Sequence, residues 1–490
     1  MAKSEWSFRS AAELSAALAA KKVSAVELAT DVIARIERHD DKINAICVRD
    51  FERGLAAAKA ADEALARGES KPLLGIPTTV KESYNMAGLP TTWGFPPCKD
   101  FIAKEDALSV TRVKDAGGVI LGKTNVPVAL SDWQSYNDIY GTTNNPFDLG
   151  RTPGGSSGGS SAALAAGFGA LSLGSDIGGS LRVPAFHCGV YAHKPTFELC
   201  SNRGHVAPPN DPLPFERDLS VVGPMARSAD DLALLLDLMA EPDPIDVGIA
   251  YKLALPGPRH DTFKGFRALV LDSHPLLPTS AEIRGCIEKL AGQLASEGVS
   301  IARHSPLLPD LDASTRLYMR MLISFLAASF PPEVYDGAIA QAKALPAGDT
   351  SLVAERARAV GLSHRDWIVD NAKRTRLRAA WRELFKSFDV VICPIMPIPA
   401  YPHDHAPDQE LRRIDIDGQS CVYTDQLCWP GIATLPGLPA TAIPLGLSKD
   451  GLPLGVQIVG PWLEDKTPIK LASLIEKAFG GFVPPPLFND

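Results

Sequence analysis

The 490-residue chain lacks the spacings that would mark a metal or disulfide framework. Its eight cysteines, at 47, 98, 188, 200, 286, 393, 421 and 428, form no C-x-x-C pair. They read as scattered reduced thiols, not as a zinc site or a stapled scaffold. Histidine is scarce, and only His403 and His405 stand close together, in the proline-punctuated Tyr401-Pro-His-Asp-His405. That segment reads as a surface loop, and neither a metal nor a cofactor is expected. No apolar run reaches membrane-spanning length, and Met1-Ala-Lys-Ser-Glu-Trp6 has no apolar signal core. A cytoplasmic location without membrane contact is the expectation. Positive charge is in deficit, with a net charge of −8, which argues against a free-standing nucleic-acid binder. What the chain does have is enough apolar material, 45% against 22% charged, to bury a large core.

Against this background two glycine-rich runs stand out. The first is Thr152-Pro-Gly-Gly-Ser-Ser-Gly-Gly-Ser160, followed by an alanine-rich stretch suited to one short helix. The second is Gly174-Ser-Asp-Ile-Gly-Gly-Ser-Leu-Arg182. Glycine permits positive φ and close backbone approach. A serine held in such a loop can attack a carbonyl while backbone N–H groups receive the oxyanion.

Three functional readings of the first run compete with a purely structural one. A P-loop needs lysine where Ser160 stands, so nothing would reach the outer phosphates of a nucleotide. Gly154, Ser156 and Gly158 match a G-x-S-x-G elbow, but the preceding Asp148-Leu-Gly-Arg-Thr-Pro153 is no apolar strand, and no histidine sits in a telling context. A glycine-rich helix cap would explain one serine but not two runs. The third reading turns on Lys81, at the end of the β-branched segment Gly75-Ile-Pro-Thr-Thr-Val-Lys-Glu82. Alone, a lysine there would be a solvated surface charge.

With these motifs together the chain resembles the amidase signature family. The resemblance runs through Leu74–Glu82, Leu121–Val126, Tyr140–Pro146, both glycine runs, Cys188–Thr196, Gly437–Pro444 and Gly451–Gln457. It implies Lys81 as catalytic base, Ser156 as bridging serine after a cis peptide bond, and Ser180 as nucleophile. It also implies an oxyanion hole from the backbone of Ile177, Gly178, Gly179 and Ser180, with Ser157, Ser175, Asp176 and Arg182 in support. Asp176 and Arg182 read as a structural ion pair, not as catalytic groups. Two departures are small: Ala192 replaces a common glycine, and Ser175 a common threonine while keeping the hydroxyl.

Local patterns place these motifs on an α/β frame. Ser10 with Glu13, and Ser24 with Glu27, read as capping boxes that open helices in an N-terminal helical layer reaching residue 70. Strands are predicted at 119–121, 171–173, 267–272, 299–301 and 388–393, with helices over 109–116 and 282–297. The apolar face of the second helix is Ile283, Ile287, Leu290 and Leu294. The resemblance refines this to a single layered α/β/α domain, 1–490, with a central mixed sheet, a signature core over 71–235 and a variable helical region over 305–380. In that region Met319, Met321, Leu322, Phe325 and Leu326 read as core-facing, with a substrate channel as the alternative.

The expected function is that of a stand-alone amidase, cleaving aryl or aliphatic amides to acid and amine through an acyl-serine. The alternative is the glutaminase subunit of a tRNA-dependent amidotransferase. The Arg-Arg-Ile-Met-Leu-Gly segment usual in that subunit is absent, and the chain instead reads Gly361-Leu-Ser-His-Arg-Asp-Trp367, then Arg374, Arg378 and Trp381. A small-molecule amide is the expected partner, with a homodimer left open. Met86, Trp93, Trp133, Tyr136, Ile139 and Trp429 are the candidate walls of the substrate site, about half of them core packing.

Overall fold

The computed structural model describes residues 4–209 and 217–489. One mixed sheet of eleven strands organises them. Numbered in chain order within this sheet, the strands are β1 (Ile46–Arg49), β2 (Pro77–Lys81), β3 (Val119–Thr124), β4 (Leu171–Asp176), β5 (Tyr191–Lys194) and β6 (Val221–Ala226). They continue as β7 (Arg267–Val270), β8 (Ser300–Ala302), β9 (Val390–Cys393), β10 (Ala440–Leu447) and β11 (Pro453–Val459). Their spatial order is β1-β3-β2-β4-β6-β5-β10-β11-β9-β7-β8. Two parallel groups, β3-β2-β4 and β9-β7-β8, flank an antiparallel middle.

Burial follows position in the sheet. Every residue of β2, β3, β4, β5, β6, β9 and β11 is buried, whereas the edge strands β1 and β8 are partly open. The apolar runs Val390–Cys393 and Val221–Ala226 are what burial on both faces favours, whereas Pro77–Lys81 and Leu171–Asp176 carry polar side chains into the interior. Helices pack against the sheet, as the α/β pattern predicts.

The local signals hold closely. Both capping boxes are formed, Ser10 with Glu13 and Ser24 with Glu27, at the starts of Ala11–Ala19 and Ala25–Ile43. The predicted helix over 109–116 is Leu108–Asp115. The predicted βαβ unit is β7, the helix Ala281–Ser296 and β8, with β7 and β8 parallel. Four helices, Leu311–Ala327, Pro332–Ala344, Leu352–Ala359 and His364–Ser387, fill most of the stretch from 305 to 387.

The glycines of the first run serve packing as much as flexibility. A Cβ on Gly155 would lie 2.3 Å from the Asp132 carbonyl oxygen, and one on Gly159 would lie 2.4 Å from the Asn125 amide nitrogen. Glycine there lets the wholly buried helix Gly158–Ala165 seat against the chain beyond β3.

Leu294→Ala tests the packing of the βαβ helix, because Leu294 is fully buried whereas Lys289 on the same helix is exposed. We expect a loss of about 2–5 kcal/mol for Leu294→Ala and within about 0.5 kcal/mol for Lys289→Ala, read from urea midpoints.

Candidate active site

Register brings the two motifs together. β2 and β4 are parallel, with Val80 opposite Leu173, so Lys81 ends its strand beside the Gly174-Ser175-Asp176 end of β4. Carboxyl ends of parallel strands are where open α/β sheets place their sites. Lys81 Nζ lies 2.7 Å from Ser156 Oγ and 2.9 Å from Ser175 Oγ. The peptide bond between Gly155 and Ser156 is cis.

Lys81 is completely buried. Burial drives its pKa well below the ordinary lysine value; nearby Asp176 and Glu82 oppose that shift and Arg217 adds to it. The ammonium form is therefore disfavoured, and a neutral amine can accept a proton from Ser156.

The loop after β4 is fixed by a fully buried ion pair. Asp176 accepts hydrogen bonds from the amides of Gly179 and Leu181, at 2.9 and 3.1 Å. It also accepts from Arg182 Nε at 3.0 Å and Nη2 at 2.9 Å. Arg182 donates further to the Pro430 carbonyl, Gln457 Oε1 and Thr434 Oγ1, at 3.1, 2.7 and 2.9 Å. Burial pushes the Asp176 carboxyl up, but the Arg182 charge and these donors hold it below the usual carboxylate range.

Two aromatic side chains orient the loop's carbonyls. Tyr318 Oη donates to the Ile177 carbonyl at 2.7 Å, and Trp133 Nε1 donates to the Gly178 carbonyl at 2.8 Å. Since the Gly179 amide is engaged by Asp176, the expected oxyanion set narrows. Of its four members, only the amides of Ile177, Gly178 and Ser180 carry no hydrogen bond to another described residue. Ser157 bridges the loops instead, receiving the Ser175 amide at 3.3 Å and donating its own amide to the Ser180 carbonyl at 3.2 Å.

Ser156, Ser175, Asp176, Ile177, Gly178 and Ser180 all border one cavity of about 830 Å³. Of the six candidate wall residues, Trp93 and Trp133 line it. Met86 and Trp429 are instead packed in the core. Tyr136 is held by stacking on His405 at 3.7 Å and by a hydrogen bond to Asp132 at 3.3 Å, and neither it nor Ile139 lines the cavity. The larger apolar wall comes from the helical region, through Leu322, Leu326, Phe330, Val334, Val353 and Val360. Met319, Met321 and Leu322 are core, as expected, while Leu322 also lines the cavity, Leu326 packs against the core and lines it, and Phe325 is half-buried. Sequence reasoning also missed His205 and Arg217, which line the cavity but lie in no motif. His403 is bonded to Asn144 at 3.2 Å in a loop away from these groups. No group of three or more metal-ligating side chains occurs among the described residues. No helix among them is long and apolar enough to cross a membrane.

The chain as a whole has counterparts among known proteins. The family model described as Amidase matches residues 27–468. Fatty-acid amide hydrolase 2-A of Danio rerio is 31% identical, over 97% of this chain and 90% of that protein. A glutamyl-tRNA(Gln) amidotransferase subunit of Thermus thermophilus is 33% identical, over 95% of this chain and 96% of that one. A solved bacterial aryl acylamidase of the amidase signature family superposes with a TM-score of 0.80 at 23% identity, covering 97% of each chain. The chain belongs to the amidase signature family. It is an amide-bond hydrolase.

The ion pair should be the most sensitive point of the loop. Arg182→Met leaves Asp176 buried without its counter-ion, and we expect a loss of about 3–5 kcal/mol in a urea titration. Activity should fall with it, although Lys81, Ser156 and Ser180 are all retained.

Proposed function

We propose that the protein is a stand-alone amidase working through an acyl-Ser180 intermediate. The observation that carries this reading is the 2.7 Å contact of the buried, charge-disfavoured Lys81 with Ser156, on the wall of the cavity that Ser180 also borders. Ser180 Oγ attacks the amide carbonyl and its proton passes through Ser156 to Lys81. The oxyanion is received by the amides of Ile177, Gly178 and Ser180. Collapse breaks the C–N bond, and the proton returns through Ser156 to the departing amine. Water then hydrolyses the ester to free acid, restoring Ser180.

The apolar chamber favours the free amidase over the amidotransferase subunit. Leu322, Leu326, Phe330, Val334, Val353 and Val360 suit an aryl or aliphatic group. They offer nothing to the charged α-ammonium of glutamine. The chain's similarity to both an amide hydrolase and amidotransferase subunits makes the substrate panel decisive. Aryl and medium-length aliphatic amides should exceed glutamine in kcat/KM for the purified chain alone. A preference for glutamine appearing only with partner subunits would reverse the reading.

Ser180→Ala should abolish turnover with the fold intact, by circular dichroism. Ser156→Ala and Lys81→Ala should each cost several decades in kcat, and the double variant little more than either, because both carry one proton. A Ser180→Ala enzyme keeping more than about a tenth of the rate, an effect below ~1.4 kcal/mol, would misplace the nucleophile.

The pH profile follows from the direction of the Lys81 shift. Only the neutral amine is active, so log kcat/KM rises with pH to a plateau as Lys81 deprotonates. Burial lowers its pKa, so the rise lies well below the ordinary lysine value near ~10.4. Activity should be lost as pH falls through that lowered value. A rate flat from mildly acidic pH upward would exclude Lys81 as base.

A further inference from the structure

One wall of the cavity carries a cation that the proposed chemistry does not use. Arg217 lines the same chamber as Ser156 and Ser180. Its guanidinium carbon sits 5.0 Å from the centroid of the Trp93 ring, which holds the side chain by a cation–π contact. One donor, Nη1, reaches the His205 carbonyl at 3.1 Å. Among the described residues no carboxylate pairs with it. Other arginines bordering or underlying the site do have such partners: Arg182 has Asp176, and Arg356 has Glu410 and Asp425.

The surroundings of Arg217 are also those of a binding site. His205 is buried and lines the cavity, with Nε2 bonded to Ser83 at 2.9 Å and Nδ1 without a partner among the described residues. The neighbouring Asp218 is engaged by Arg374 at 2.5 Å and does not pair with Arg217. Burial draws Arg217 down to about 10, which leaves it cationic at neutral pH. A half-buried cation with no carboxylate among the described residues is favoured when an anion arrives to share the site. The guanidinium fork is matched to carboxylate, which it can hold by two parallel hydrogen bonds.

We propose that Arg217, seated on Trp93 beside His205, binds a carboxylate of the substrate, so that the preferred amide carries an anionic acid group together with an apolar portion. The class is an N-acyl amino acid or the half-amide of a dicarboxylic acid. The apolar part would occupy the wall built by Leu322, Leu326, Phe330 and Val334, and the carboxylate the Trp93–Arg217 corner. This rests on the amidase reading and narrows it. Glutamine has the carboxylate but also an ammonium, for which the Arg217 corner supplies only like charge.

The experiment pairs anionic amides with neutral counterparts of similar size, using the purified full chain. N-decanoylglycine is set against N-propyldecanamide for an acid on the amine side. The half-amide of dodecanedioic acid is set against dodecanamide for an acid on the acyl side. In at least one pair the anionic member should lead by roughly ten- to a hundredfold in kcat/KM, the range of a charge-assisted hydrogen bond. Arg217→Ala should collapse that ratio through KM more than kcat, and Arg217→Lys should restore part of it. The wild-type ratio needs no variant, so misfolding of a substituted chain does not rescue the idea. Neutral amides turned over as well as or better than both anionic ones would overturn the carboxylate site while leaving the amidase reading intact. An enzyme inactive on every amide would instead overturn the amidase reading itself.

Discussion

The fully buried Asp176–Arg182 pair is the constraint on which the site's geometry depends. Charge is expensive to remove from water, and it is tolerated here because every lone pair and proton is matched. Asp176 organises the backbone of its own loop, and Arg182 ties that loop to Pro430, Thr434 and Gln457, far away in sequence. Gln457 is in turn engaged with the carbonyls of Pro394 and Trp429. The loop that holds Ser180 is thus anchored to the middle of the sheet and to the last third of the chain. Tyr318 and Trp133 complete the clamp by fixing two successive carbonyls, which determines where the intervening amide protons point.

Burial of Lys81 gains its meaning from this rigidity. A flexible lysine would find water and keep its proton. Held at the end of a buried strand between two hydroxyls, it has only neutral partners in direct contact. The same low-polarity surroundings penalise the ammonium form, so the amine stays unprotonated at a lower pH than an exposed lysine would.

Much of this was legible in the amino-acid sequence because it is local. Capping boxes, the apolar face at Ile283, Ile287, Leu290 and Leu294, and the β-branched run before Lys81 each depend on neighbours within one element. The approach of Lys81 to the glycine-run serine Ser156 was readable through the motifs. The cavity walls were not. Met86 and Trp429 are apolar in the same way as Trp93 and Trp133, and composition cannot say which apolar residue faces a void and which a neighbour. Leu322 and Leu326 sit on the same helix as the core residues Met319 and Met321, so periodicity alone does not separate chamber from core. Arg217 and His205 had no motif at all, and their place on the cavity wall is visible only in three dimensions. The glycine run was read for ligand approach, yet at Gly155 and Gly159 it accommodates the protein's own backbone.

The helix Pro332–Ala344 has no buried residue, although Val334 and Ala338 from it border the chamber. This part of the chamber wall is therefore attached lightly, whereas Lys81 and Asp176 end buried strands of the sheet. Amino-acid exchanges along that helix can reshape what enters without taxing the fold, which makes it the natural place to retune the enzyme for new amides.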